Sequence, residues 1–158
     1  MTCVVAGMTT TVFEYSALSV NITSKAVIAS VKLRNTGHRT SDEVCQVYTS
    51  LITNRGIAAS PPLQDFQAFQ RVAQLAPGES VSLIFDIPLK QLQLMDVFGK
   101  LRVLPGTYNM WVGGRAPTGN ERRNFGRDQN IDHLGSASPA GTPHRPLSTS
   151  FQIGDDDV

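Results

Sequence analysis

The residues of this chain that could do acid–base chemistry are carboxylates, and two of them, Asp42 and Glu43, are adjacent. Catalysis by a carboxylate pair requires the two groups to face each other across a substrate, roughly 5–9.5 Å apart. Adjacent residues in a strand place their side chains on opposite faces of the sheet. We therefore interpret Asp42 as an acceptor that caps a turn and Glu43 as a surface residue, and we assign no catalytic residue.

The other acidic residues and the histidines predict neither a metal site nor a nucleophile. Asp128, Asp132 and His133 could bind a metal only if Asp128 and Asp132 shared a helix face, and the surrounding Gly/Pro-rich sequence does not favour a helix. His38 and His144 lie in other loops. No Gly-x-Ser-x-Gly motif supports a serine nucleophile. The sequence predicts no metal, no cofactor and no enzymatic activity of its own.

Two cysteines, Cys3 and Cys45, are too few for a disulfide framework. Cys45 lies in an alternating strand pattern, which favours a buried structural thiol. A Cys3–Cys45 disulfide is the alternative, and it would need an oxidising compartment. Asn21 begins an Asn-Ile-Thr glycosylation sequon, which matters only if a glycosylating cell secretes the protein.

Trp111 is the first candidate for contact with another molecule. If alternation along its strand turns Tyr108 inward, Trp111 points out of the fold, where a tryptophan often marks an interface. Its ring could pack under the long loop that follows, against another domain or subunit, or on a sugar. The arginines near Trp111 could form a docking arm for an acidic surface or simply keep a flexible segment solvated: Arg115, Arg122, Arg123 and Arg127.

Length and composition limit the classes of protein. The chain has 158 residues, 41% hydrophobic and 17% charged, which suits one domain with a buried core, with or without an appendage. A net charge of +1 does not favour nucleic acid. No apolar run approaches the roughly 18 residues that cross a bilayer. Residues 1–8 lack the basic start of a signal peptide, and we expect a cut from a longer sequence rather than a cloned start or an edge strand.

Alternating apolar patterns predict about seven strands with turn signals at the spacing of an immunoglobulin-like two-sheet sandwich. Residues 88–96 are expected to hold one helical turn or a crossover, with Pro88 near its start. The fold class is therefore all-β, with a long irregular loop before the last strand. The predicted strands cover 12–22, 26–34, 43–51, the second half of 63–75, 80–87, the two arms of 99–114, and 147–153.

Two Pro-Gly pairs, Pro77-Gly78 and Pro105-Gly106, predict tight turns, because proline presets φ and glycine accepts positive φ. We expect the second pair to close a hairpin between the arms of 99–114. Tyr108, just after it, lies where an immunoglobulin-like sandwich places its tyrosine corner, with the hydroxyl bonded back to nearby backbone.

The chain divides by composition into a sandwich and three less regular parts. A loop as long as 115–146 is unusual inside a compact domain and tends to be functional or disordered. The expected boundaries are an N-terminal extension (1–11), the sandwich (12–114), the Gly/Pro/Arg-rich loop (115–146), a final strand (147–154) and an acidic tail (155–158).

Four stretches together resemble one known family: VFEYSAL (12–18), NTGHRTSDEVCQVY (35–48), residues 63–85, and DVFGKLRVLPGTYNMWVGG (96–114). They are similar to the fibronectin type III-like domain at the C-terminus of family 3 glycoside hydrolases, the β-glucosidases and β-xylosidases. The resemblance covers roughly 11–114 and the last strand. It implies a β-sandwich beside catalytic domains that lie earlier in a parent chain. The family's two catalytic carboxylates lie in those domains, so none is carried over.

The resemblance implies a non-catalytic accessory module that stabilises or flanks a β-glucosidase-like catalytic unit in carbohydrate metabolism. Its partners would be the catalytic domains of the parent enzyme, without nucleic acid or membrane, and its location extracellular rather than cytoplasmic. One alternative is a standalone structural or interaction protein that self-associates through the long loop and sheet edges. A weaker alternative is a carbohydrate-binding module that uses Trp111.

Overall fold

The structure, a computed structural model, describes residues 11–53, 64–118 and 146–154. This part of the chain forms a three-stranded sheet in the order β1-β2-β5, a four-stranded sheet in the order β4-β3-β8-β9, and the small pair β6-β7. All the pairings in these sheets are antiparallel, which confirms the all-β sandwich. The elements are β1 Phe13–Ile22, β2 Ala26–Asn35, β3 Ser41–Thr53, β4 Asp65–Leu75, β5 Ser80–Pro88, a 3-10 helix Leu89–Leu92, β6 Gln93–Met95, β7 Leu101–Val103, β8 Gly106–Gly113 and β9 Leu147–Ile153.

The core lies between the two large sheets, and alternation along each strand decides which side chains enter it. In β2, Val27, Ala29, Val31 and Leu33 are each at most 2% exposed. The four-stranded sheet supplies the opposite layer, with Cys45 and Val47 from β3, Tyr108, Met110 and Val112 from β8, and Phe151 and Ile153 from β9. Removing these apolar side chains from water stabilises the fold. No helix in the described ranges is long and apolar enough to span a membrane.

Two turns at one end of the sandwich are tied together by Asn35, which is fully buried. Its side-chain amide donates to the carbonyls of Arg39 and Leu75, both at 2.8 Å, and its Oδ1 accepts from the Gly37 N–H at 2.9 Å. The predicted Pro77-Gly78 turn forms beside it: Gly78 has φ +80° and donates to the Asn35 carbonyl at 2.8 Å. One polar side chain thus holds both turns of this end.

The prediction that Pro105-Gly106 closes a hairpin was wrong. β7 pairs with β6, whereas β8 pairs with β3 and β9. Leu104 and Pro105 therefore cross from the small pair to the four-stranded sheet. Proline has no N–H to continue a strand ladder, and Gly106, with φ +153°, takes a backbone angle that other residues avoid. The Pro-Gly pair marks a change of sheet rather than a tight turn.

The tyrosine corner forms at this crossover. Tyr108 is 2% exposed, its hydroxyl donates to the Leu104 carbonyl at 2.7 Å, and its ring stacks on Phe151 with centroids 5.4 Å apart. The hydrogen bond fixes the crossover against the strand that follows it.

Tyr108→Phe should therefore lower the free energy of unfolding by about 1–3 kcal/mol, because the buried Leu104 carbonyl loses its donor. Urea denaturation measures the loss. Tyr48→Phe is the matched control, since that hydroxyl donates to the part-buried Gln46 side chain, and its effect should stay below about 0.5 kcal/mol. Equal effects of the two changes would contradict the assigned role of Tyr108.

Candidate functional site

The outer face of the four-stranded sheet carries a row of aromatic side chains across three strands. Phe66 in β4 lies directly opposite Tyr48 in β3, and Tyr48 lies directly opposite Trp111 in β8. Residues directly opposite in an antiparallel pair point to the same face of the sheet. The row therefore lies on one surface, away from the core between the sheets.

Phe69 joins this face because of a bulge in β4. Residues 66 and 69, three apart, would point to opposite faces of a regular strand. The register shifts where Val47 and Tyr48 of β3 face Ala68 and Phe66, so β4 has one extra residue there. Phe69 consequently lies opposite Gln46 and beside Phe66. The bulge therefore places Phe66 and Phe69 on the same face of the sheet, whereas a regular strand would place them on opposite faces.

We call Tyr48, Phe66 and Phe69 the aromatic face. The Tyr48 and Phe66 rings meet edge-on with centroids 5.5 Å apart, and the Phe66 and Phe69 rings stack at 6.2 Å. Phe66 is 53% exposed and Phe69 62% exposed. Clustered exposed aromatic rings are typical of interaction surfaces rather than of the solvated face of an antiparallel sheet.

The outer face of the three-stranded sheet differs in character. In β5, Ser80, Ser82 and Asp86 point outward with a single large apolar residue, Ile84, which is 61% exposed. A lone exposed isoleucine needs no partner. Of the two outer faces, only that of the four-stranded sheet presents an aromatic cluster in the described residues.

Trp111 points away from the core, but it is only 2% exposed. Its opposite neighbours on the sheet are Tyr48 and Ser148. The chain itself covers the ring, so the structure does not offer Trp111 as a stacking platform for a sugar. Alternation along β8 gives the direction of this side chain, but not whether the chain covers it.

The other predicted site residues that the structure describes do not form one site. The Arg115 guanidinium donates to the Ala116 carbonyl at 3.0 Å, beside β8. Asn21 and His38 are exposed. Cys45 is a fully buried free thiol whose pKa is raised to about 12, chiefly by burial. The remaining residues lie outside the described ranges: Cys3, Arg122, Arg123, Arg127, Asp128, Asp132, His133, His144 and the acidic segment 155–157.

Glu43 is half-buried, and not the surface residue that the sequence predicts. Its carboxylate accepts a hydrogen bond from the Tyr15 hydroxyl at 2.6 Å, between the two sheets. A side chain at Gly114 would collide with this carboxylate, so glycine there leaves room for the pair. Burial, then the Glu43 hydrogen bond and charge, raise the pKa of Tyr15. Tyr15 is 28 residues away in sequence, so local pattern could not reveal this contact.

Asp42 accepts hydrogen bonds across the sheet from β4, rather than capping the turn before its own strand. Its Oδ1 accepts from the backbone N–H of Gln74 at 2.8 Å, and its Oδ2 pairs with the Arg71 guanidinium. The backbone hydrogen bond and then Arg71 hold the pKa of this carboxyl below its usual range. Asp42 and Glu43 thus serve separate structural contacts. Residues 11–53, 64–118 and 146–154 contain no cluster of three or more His, Cys, Asp or Glu that could hold a metal.

Comparison with known proteins gives a consistent result. Residues 43–116 match the family model described as the fibronectin type III-like domain. A beta-xylosidase of Formosa agariphila is 31% identical over 111 residues, which cover 68% of this chain and 15% of that protein. A periplasmic beta-glucosidase of Salmonella typhimurium is 31% identical over 87 residues, 55% of this chain and 11% of that protein.

The solved structures agree on the fold. The structure of beta-glucosidase 3B from Thermotoga neapolitana in complex with alpha-D-glucose is 27% identical, with a TM-score of 0.67, over 92% of this chain and 16% of that one. The beta-glucosidase from Kluyveromyces marxianus, at 24% identity and a TM-score of 0.65, shares the fold over 90% of this chain. The chain thus spans about one sixth or less of the length of these proteins. These comparisons confirm that the motifs of this chain resemble the fibronectin type III-like domain of family 3 glycoside hydrolases.

Proposed function

Because residues 43–116 belong to the fibronectin type III-like family, we propose that this chain is a non-catalytic accessory module that docks on the catalytic unit of a family 3 glycoside hydrolase. The observation that carries the proposal is the aromatic face, with Phe66 and Phe69 more than half exposed. The catalytic unit is the occupant that fits it, since about 85% of the F. agariphila relative lies outside the region that this chain matches.

Docking through this face has a physical rationale. Covering exposed apolar surface contributes about 25 cal/mol per Å², and aromatic anchors dominate the energetics of many interfaces. The opposite outer face, with its serines and Asp86, offers no comparable anchor among the described residues. The module acts by contact and not by chemistry, and its proposed location is that of secreted or periplasmic glycosidases.

Capture of enzymatic activity tests this proposal. We expect the immobilised chain to retain p-nitrophenyl β-glucosidase or β-xylosidase activity from an extract of its source, while the purified chain alone hydrolyses neither substrate. Phe66→Ser with Phe69→Ser should lower the captured activity at least tenfold, because both anchors are lost. Ile84→Ser is the matched control: it removes an equally exposed apolar side chain from the other sheet. No captured activity, or equal loss with both variants, would contradict the proposal.

Self-association through the same face is the competing use of this surface. Light scattering over a concentration series separates the two, since the proposal expects a monomer of 17.1 kDa at every concentration. A dimer that the Phe66→Ser/Phe69→Ser variant abolishes would assign the aromatic face to a second copy of this chain.

A further inference from the structure

A basic cleft lies at the end of the sandwich opposite the Asn35 turns, on a surface separate from the aromatic face. It has a volume of about 510 Å³ and lies between the β1–β2 turn and the 3-10 helix on one side and the β6-β7 pair on the other. Clefts of roughly 300–1,000 Å³ are the usual size of small-molecule sites. The cleft is therefore large enough for a ligand of a few rings.

The lining combines three cations with an apolar floor. Lys25, Lys90 and Arg102 line the cleft together with Pro88, Leu89 and Val103. Ser24 and Gln93 add uncharged polar groups, and none of the lining residues is acidic. Leu89 and Val103 are buried, so they form the floor, while both lysines and Arg102 are exposed at the rim. Such a surface favours an anionic ligand that also has an apolar face.

Both walls are held in place by their own hydrogen bonds. On one side the Thr23 hydroxyl accepts from the Ala26 N–H at 3.1 Å, and the Lys25 carbonyl accepts from the Leu89 N–H at 3.0 Å. These bonds fix the backbone of Lys25 beside that of Leu89. The backbone of Lys25 is thus held beside the 3-10 helix that carries Lys90, which lowers the backbone cost of ordering this wall around a ligand.

On the other side Arg102 is anchored by Asp96. The Arg102 Nε donates to Asp96 Oδ2 at 2.8 Å, while Asp96 Oδ1 accepts from the N–H groups of Phe98 and Lys100 at 2.8 and 2.9 Å. These backbone hydrogen bonds, together with the nearby cations, hold the pKa of Asp96 below its usual range. The Arg102 side chain is still 53% exposed. Asp96 therefore orients the guanidinium while leaving it accessible to solvent.

We propose that this cleft binds a uronic acid unit, a sugar that carries a carboxylate. The carboxylate would pair with Lys25 and Lys90, as charge-assisted hydrogen bonds favour, beside Arg102, whose charge is shared with Asp96. The C–H face of the sugar ring would lie on Pro88, Leu89 and Val103, with Ser24 and Gln93 within the cleft for its hydroxyls. That the ligand is a sugar acid, and not another carboxylic acid, rests on the proposed function. That the ligand is negatively charged rests only on the cationic residues that line the cleft.

The test follows backbone amide shifts of the isotope-labelled full chain during titration with digalacturonic acid, and separately with neutral cellobiose. We expect digalacturonate to shift amides of residues 24–25, 89–93 and 102–103, and cellobiose to bind at least tenfold more weakly. Lys25→Gln with Lys90→Gln should weaken digalacturonate binding about tenfold or more. Lys32→Gln with Arg34→Gln removes the same two positive charges from exposed positions in β2 and should leave binding unchanged.

Each other outcome overturns the assignment. Equal binding of both sugars, shifts centred on Phe66 and Phe69, or no shift at 20-fold excess over the protein would each exclude an acidic-sugar cleft. Binding that emerges only after deletion of 155–158 would assign the cleft to the chain's own acidic segment. The titration needs no catalytic unit, so its failure is independent of whether activity is captured through the aromatic face.

Discussion

Alanine at Gly113 should lower the free energy of unfolding by about 2–3 kcal/mol, because its methyl group would lie 2.9 Å from both Cα and Cβ of Pro146. Gly113 ends β8, and Pro146 directly precedes β9, the edge strand that pairs with it. The obstructing atoms belong to the backbone and the adjoining proline ring, so they cannot rotate away, and the two strands would have to separate locally. Urea denaturation followed by the fluorescence of Trp111, the single tryptophan, measures the loss.

Gly114→Ala provides the comparison, because its methyl group would meet the Glu43 carboxylate at the end of a flexible side chain. That side chain can move, at the cost of the Tyr15 hydrogen bond, so we expect a smaller loss of about 1–1.5 kcal/mol. Most of this loss should disappear when Tyr15→Phe is already present, since the two changes break one interaction. A Gly113→Ala variant within about 0.5 kcal/mol of the wild type would contradict the close packing of Pro146 on β8.

Stability should fall steeply above pH 9. Burial and the Glu43 charge raise the pKa of Cys45 to about 12, from 9.0, and burial raises the pKa of Tyr108 to about 12, from 10.0. The pKa of Tyr15 is raised as well. The folded protein therefore keeps these protons longer than the unfolded chain. Their contribution is complete below the unfolded pKa values and is lost as pH rises from those values towards the folded ones.

Each such group costs about 1.4 kcal/mol per pH unit above its unfolded pKa. Cys45 and Tyr15 together should remove about 4 kcal/mol between pH 9 and 11, and Tyr108 adds to this. Thermal denaturation across pH 7–11 measures the loss. Cys45→Ala should lower stability at pH 7 but flatten the fall between pH 9 and 10, where the thiol titrates more than the tyrosines in the unfolded chain. A melting temperature that stays constant up to pH 11 would show that these groups are not buried as described.

The strands could be predicted from the sequence because a side-chain period of two is a local property. Val27, Ala29, Val31 and Leu33 of β2 are buried as their alternation predicts. Local pattern could not reveal which strand pairs with which. The sequences of β7 and β8 fit a hairpin as well as they fit two strands of different sheets. The packing of the Leu104–Pro105 crossover and of Tyr108 places the two strands in different sheets.

The candidate site was harder to predict than the fold. Phe66 and Phe69 fit a helix as well as a strand, and a spacing of three residues puts them on one strand face only where a bulge intervenes. The bulge follows from pairing with Val47 and Tyr48, about twenty residues away. Trp111 was easier to notice because its residue type alone suggests an interface. Whether the Trp111 ring is buried depends on which residues pack over this face of the sheet, and the alternation of side chains along β8 does not predict that.

Photo-crosslinking from position 69 tests the docking of this module most directly. Phe69 is replaced by p-benzoylphenylalanine, the chain is irradiated in an extract of its source, and the crosslinked peptides are sequenced by mass spectrometry, with Ile84 replaced in the same way as the control. The account predicts crosslinks from position 69, and not from position 84, to a polypeptide or segment with the catalytic domains of a family 3 glycoside hydrolase. Crosslinks from position 69 to a second copy of this chain, or the same crosslinks from both positions, would contradict it.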